Sequence, residues 1–239
     1  MSDVPQVPDD RTLALAFYLL VDVSYSMDGA PLDAVNRILP EVIDTIEESP
    51  TLGDVVRFGA LDFADDARTV LPLGDLRDVR AIPQFTARGG TSYAAAFRRL
   101  RHDIEHDLAR LRGEGFQVYR PAVFFVTDGA PTDAVPEVRA AFAELTDPGF
   151  RGRPNIIPFG VTPELPGDSL EPWVHPKPGT GGKPMRSYVY GGAGDAATAI
   201  RQIADVLISS IVASANSVND AGAAGGFVPP DDDDLGDWI

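Results

Sequence analysis

The sequence predicts an α/β fold: a Rossmann-like open sheet, mostly parallel with one antiparallel edge strand, and helices on both faces. Three observations predict it. The runs LALAFYLLV (13–21) and AVFFVT (122–127) are almost wholly apolar and of strand length, the pattern of strands covered on both faces. Beyond the first run the apolar period changes to three and four residues, the spacing of an amphipathic helix. Strand and helix patterns then alternate along the chain, which implies a parallel sheet with helices on both sides.

Each element follows from its local pattern. Leu32, Val35, Ile38, Leu39, Val42 and Ile46 keep helical spacing. Pro31 suits the first turn of that helix, where an N–H would have no partner. VVRFGALDF (55–63) reads as a second strand. RTVLPL (68–73) reads as a short third, and its proline, which cannot donate to a ladder, favours an edge. Past Gly89-Gly90 a long helix is expected from Tyr93 to Leu111. AVFFVT is the fourth strand, followed by a helix over 134–145 and a strand over 155–161. Residues 162–186 are loop-like, and SYVYGG (187–192) holds a last short strand. Asp195 can cap a final helix whose apolar face is Ile200, Ile203, Leu207 and Ile211.

Composition narrows the function. A chain of 239 residues, 44% hydrophobic, can bury one sizeable core. Its net charge of -16 repels phosphate backbones and anionic lipid, so no nucleic acid and no membrane is expected as a partner. It has no cysteine, which excludes disulfides, thiolate zinc sites and cysteine nucleophiles. The opening MSDVPQVPDDR lacks a basic segment followed by an apolar one. No apolar run approaches the ~20 residues that span a bilayer, and a cytoplasmic location is expected.

The chain divides into a flexible N-terminus (1–11), one domain (12–215) and an acidic tail (216–239). The tail holds six Asp and no base, a composition that predicts disorder. It ends in Leu235, Trp238 and Ile239. Two readings fit it: a solubilising terminus, or a peptide that docks on a partner.

The first strand runs into DVSYSMDG (22–29). Asp22, Ser24 and Ser26 alternate, so in extended backbone they share a side. Carboxylate and hydroxyl oxygens suit a hard divalent cation, Mg2+ or Mn2+, rather than zinc. Two further stretches fit. GGTSY places Thr91 after two glycines, where backbone can approach closely. FFVTDG ends the fourth strand in Asp128. In an open α/β sheet, ligands bind beyond the carboxyl ends of the strands, where the strand order reverses. Three hydroxyls and two carboxylates leave such an ion under-neutralised and able to accept an acidic group from a partner.

These three separated stretches, in order and on the expected elements, resemble the von Willebrand factor A domain and its metal-ion-dependent adhesion site. The resemblance covers residues 13–212. It implies that Ser24, Ser26 and Thr91 are direct or near-direct ligands, that Asp22 and Asp128 act partly through water, and that the ion is a divalent cation, Mg2+ first, with Mn2+ or Ca2+ as alternatives. GAPLDAVN, RPAVFFVTDGAPTD and the compact length are similar to the bacterial tellurium-resistance TerY-like branch. That branch implies a cytoplasmic, non-enzymatic adaptor binding a protein partner that supplies Asp or Glu to the metal, within a stress response or beside a kinase or phosphatase. Tyr25 departs from the family, which usually has Gly between the serines. The alternatives are a metal-dependent hydrolase or phosphatase at the same site, and a scaffold acting through its tail.

Four further stretches invite other readings. HDIEH (102–106) spells a zinc-protease pattern, but its histidines lie about 160° from Ile104 on the helix, at ~100° per residue, and face water. GDSL (167–170) with His175 nearby suggests an esterase, but Ser169 falls late, in a proline-rich loop. DVSYS resembles an aspartyl-phosphate phosphatase start, but the second acid is replaced by Ser24. GTGGKP (179–184) lacks the glycine spacing of a phosphate-binding loop.

Overall fold

A computed structural model of the chain describes residues 12–177, 185–222, 225–230, 235 and 238. Seven strands form one sheet: β1 (Leu13–Asp22), β2 (Val56–Phe63), β3 (Ala67–Gly74), β4 (Gln117–Val118), β5 (Ala122–Thr127), β6 (Asn155–Gly160) and β7 (Tyr188–Val189). Their order is β3-β2-β1-β5-β6-β7, with β4 paired to β1. Every pairing is parallel except β2 with β3. The expected antiparallel edge is therefore β3, and Pro72 lies on it. Five helices cover the sheet: α1 (Ala30–Glu48), α2 (Pro50–Val55), α3 (Tyr93–Gly113), α4 (Val135–Leu145) and α5 (Ala196–Ala221).

β1 is the centre of the molecule, and all of it past Leu13 is buried. Successive side chains point to opposite faces. Leu15, Phe17, Leu19 and Val21 join the core layer under α1 and α5, while Ala16, Tyr18 and Leu20 join the layer under α3 and α4. Tyr18 carries a hydroxyl into the second layer. Asp107 on α3 accepts it at 2.9 Å, so no donor is left orphaned there.

Two elements carried too little pattern to be read. α2 has six residues, less than two turns, and β4 has two. The final helix is also longer than the domain boundary at 215 implied. It continues to Ala221 and buries Ala215 and Val218. α5 is long and apolar enough to cross a membrane, yet half of its apolar stretch is buried against the protein. A core helix meets the same criterion.

The expectation of a disordered tail does not describe its placed residues. Phe227 packs edge-on against Phe17, with ring centroids 6.0 Å apart. The Val228 N–H donates to Ser214 Oγ at 2.8 Å. Trp238 stacks edge-on against Phe159 and Tyr190 at 5.5 and 5.4 Å, and its indole N–H donates to Gln202 Oε1 at 2.8 Å. Burying these rings offsets the ordering cost that composition alone made prohibitive. Asp231–Asp234 and Asp237 lie outside the described residues, as do 1–11 and 178–184, which include the whole GTGGKP stretch.

One feature of the topology positions the site. β1 lies between β2 and β5, so the chain leaves it toward one side first and the other side later. The strand order reverses between β1 and β5, and the crevice beyond their carboxyl ends is where an open α/β sheet takes its ligands.

Candidate metal centre

Asp22 ends β1 at that crevice and is completely buried. Its Oδ1 accepts the Ser24 N–H at 2.9 Å, and its Oδ2 accepts the Thr127 hydroxyl of β5 at 2.7 Å. Tyr93, from the first turn of α3, donates its hydroxyl to the Gly129 carbonyl at 2.7 Å and fixes the backbone just past Asp128. Residues Tyr25–Met27 then form a single 3-10 turn, anchored by the buried Met27. The turn brings the hydroxyls of Ser24 and Ser26 to 3.0 Å from each other. The Ser26 side chain is close enough to the Asp128 carboxylate to favour its charged form.

The third segment is held by backbone. Gly89 adopts φ 55°, which a glycine reaches without strain. Its carbonyl accepts the Tyr25 N–H at 3.3 Å. The Gly90 N–H donates to Asp65 Oδ1 at 3.0 Å, and the Ser92 N–H to the Ala64 carbonyl at 2.7 Å. The Thr91 carbonyl takes the Thr132 N–H at 2.8 Å. Ser92 caps α3 by accepting from Ala95, and donates to Asp133 at 2.7 Å.

The structure thus joins Asp22, Ser24 and Ser26 in one hydrogen-bonded set, with Asp128 beside Ser26. It places Thr91 in a loop docked on the backbone of that set. Sequence reasoning missed Thr127, Tyr93 and Asp65, which hold the set in place. Thr127 had a readable signal, a hydroxyl closing an otherwise apolar buried strand. The other two had none, because their partners are distant in sequence.

Burial pushes the Asp22 carboxyl up to about 6, against the opposing hydrogen bonds from Ser24 and Thr127. Burial also raises Asp128, opposed by the nearby Ser26 side chain. Oδ1 of Asp128 is buried with no hydrogen-bond partner. A buried carboxylate oxygen left unpaired is costly unless a cation compensates it. Among the described residues no group of three His, Cys, Asp or Glu side chains could hold a metal. Any ion here must take hydroxyl oxygens, and the set fits a hard divalent cation. Beside the set, Arg88 pairs with both Asp62 and Asp66.

The other candidates do not assemble. His102 and His106 are exposed on α3, their rings 4.3 Å apart, with Ile104 buried on the far side. The Ser169 hydroxyl has no hydrogen-bond partner, while Nδ1 of His175 contacts the Pro154 carbonyl at 2.5 Å. They form no nucleophile–base pair.

Residues 17–130 match the family model of the von Willebrand factor type A domain, and with the structural neighbours this supports such a domain here. One neighbour is proximal thread matrix protein 1 from the mussel byssus, in a form with a zinc-occupied MIDAS motif. It is 16% identical with a TM-score of 0.58, covering 84% of this chain and 48% of that one. The pilus adhesin SpaC from Lactobacillus rhamnosus GG is 15% identical with a TM-score of 0.60, covering 84% of this chain and 30% of that one. The PilB minor pilin from Streptococcus sanguinis is 10% identical with a TM-score of 0.58, covering 90% and 65%. At such identities the likeness is one of fold. The chain spans about half or less of the first two proteins. No curated protein matches it in sequence.

Proposed function

We propose that the chain is a non-enzymatic, divalent-metal-dependent protein-binding adaptor. Ser24, Ser26 and Thr91 would hold the ion, with Asp22 and Asp128 beside it, and a partner Asp or Glu would complete it. When bound, the ion supplies positive charge that draws a partner carboxylate. This chain's own residues do the rest: Thr127 and the Ser24 N–H orient Asp22, and Tyr93 fixes the loop carrying Asp128. The observation that carries the reading is the buried, unpartnered Asp128 Oδ1, on the carboxylate that the Ser26 side chain influences, with the Ser24 and Ser26 hydroxyls 3.0 Å from each other.

Mg2+ is the expected ion, and Zn2+ belongs in any panel because the byssus protein carries it at its own motif. The finer likeness to the tellurium-resistance branch, with its cytoplasmic setting and its kinase or phosphatase association, belongs to this proposal and rests on GAPLDAVN and RPAVFFVTDGAPTD.

The test compares wild type with Asp22→Ala for partner capture in Mg2+ and in chelator, beside turnover of generic phosphoesters. Metal-dependent capture lost in the variant is expected. Metal-dependent turnover that vanishes in Asp128→Ala would instead make the protein a hydrolase.

A further inference from the structure

Tyr25 stands at the mouth of the cradle, 71% exposed, between the two serines. Its backbone is pinned on both sides. Its N–H donates to Gly89, and its carbonyl accepts the Asp28 N–H at 3.2 Å. An aromatic ring therefore projects into solvent from a fixed turn. Two exposed carboxylates lie on the segments beside the Tyr25 backbone. Asp28 follows two residues after Ser26, and Asp65 lies against Gly89 and Gly90. Among the described residues neither is ion-paired, whereas Asp62 and Asp66 share Arg88. The chain as a whole carries -16.

A lone carboxylate approaching this rim is repelled by Asp28 and Asp65 before it reaches the cradle. A cation travelling beside it reverses the sign of that encounter. An Arg or Lys head group also gains from an aromatic face.

We infer that the partner segment is basic around its metal-directed acid: one Asp or Glu with Arg or Lys about two or three residues away, a reach set by chain spacing. The basic head group lies on the Tyr25 ring between Asp28 and Asp65. The inference rests on the metal-dependent reading above. Tyr25 and Asp28 then select the partner without holding the metal, and acidic or neutral flanks are discriminated against.

The experiment uses the full chain saturated with Mg2+ and labelled heptapeptides with one central Asp in an alanine background. Their flanks are Arg, Gln or Glu, and a control has Arg flanks with a central Asn. Fluorescence anisotropy is expected to show the Arg-flanked peptide binding roughly tenfold more tightly than the Gln-flanked one. The double variant Tyr25→Ala/Asp28→Asn should shrink that advantage to about threefold or less while metal affinity stays within about twofold. Raising salt from about 0.05 M to about 0.5 M should shrink it likewise. Equal, metal-dependent binding of Arg- and Gln-flanked peptides would overturn the inference and leave the metal-dependent reading standing. Arg-flanked binding that survives chelator or the central Asn would overturn it by showing simple attraction to acidic surface. Absence of metal-dependent binding by every peptide, with the metal calorimetrically bound, would sink both.

Discussion

Replacing Asp22 by its amide separates what this acid costs the fold from what it does for the site. Burial raises its pKa from 3.8 to about 6. The folded state therefore holds the proton more tightly than the unfolded chain does. Below pH 3.8 both states are protonated and there is no penalty; between 3.8 and about 6 stability falls as pH rises, and above that the loss is complete. At 1.36 kcal/mol per pKa unit the loss is about 3 kcal/mol. Asp22→Asn removes it, but an amide cannot accept from both Ser24 and Thr127, and one hydrogen bond offsets about 1 kcal/mol. In chelator near neutral pH the variant should be about 1–2 kcal/mol more stable than wild type by urea unfolding. The difference should vanish toward pH 4. With Mg2+ at a hundredfold excess over its Kd, wild type gains about 2.7 kcal/mol and the order reverses. A variant less stable than wild type in chelator near neutral pH would refute the reasoning.

Other positions give sharp outcomes. Gly89→Ala forces a side chain into φ 55° with its Cβ against the Asp65 carboxylate; a loss of about 2 kcal/mol or more in urea unfolding is expected, with weaker metal binding as the Gly89–Tyr25 bond shifts. Trp238→Ala removes the ring held by Phe159, Tyr190 and Gln202, and should cost about 3 kcal/mol and speed amide exchange in β7. Unchanged exchange would mean that the tail is not held. His102→Ala/His106→Ala should leave stability within about 0.5 kcal/mol and the metal stoichiometry unchanged; loss of a metal equivalent would revive the HDIEH site.

The core of the fold was legible because β1 and β5 are apolar on both faces, a pattern that a central parallel strand requires and little else produces. The candidate oxygens drew notice for a related reason. Oxygens at alternate positions after such a strand have no packing role, so Asp22, Ser24 and Ser26 stood out. Thr127, Tyr93 and Asp65 did not, because each acts through a contact across the sheet or between loops that no local spacing records. The contacts of the tail's described residues were not legible either, for a physical reason. The tail's average composition is acidic, but its docking depends on single rings, Phe227 and Trp238, finding apolar partners on Phe17, Phe159 and Tyr190.

The central claim is that the alternating oxygens at the end of β1 hold a divalent cation. Its most direct test is calorimetric titration of chelator-treated protein with Mg2+, Mn2+ and Zn2+, wild type beside Ser24→Ala. Saturable binding of one ion in the wild type and its loss in the variant are expected. Equal binding by both proteins would place the metal elsewhere and contradict the claim.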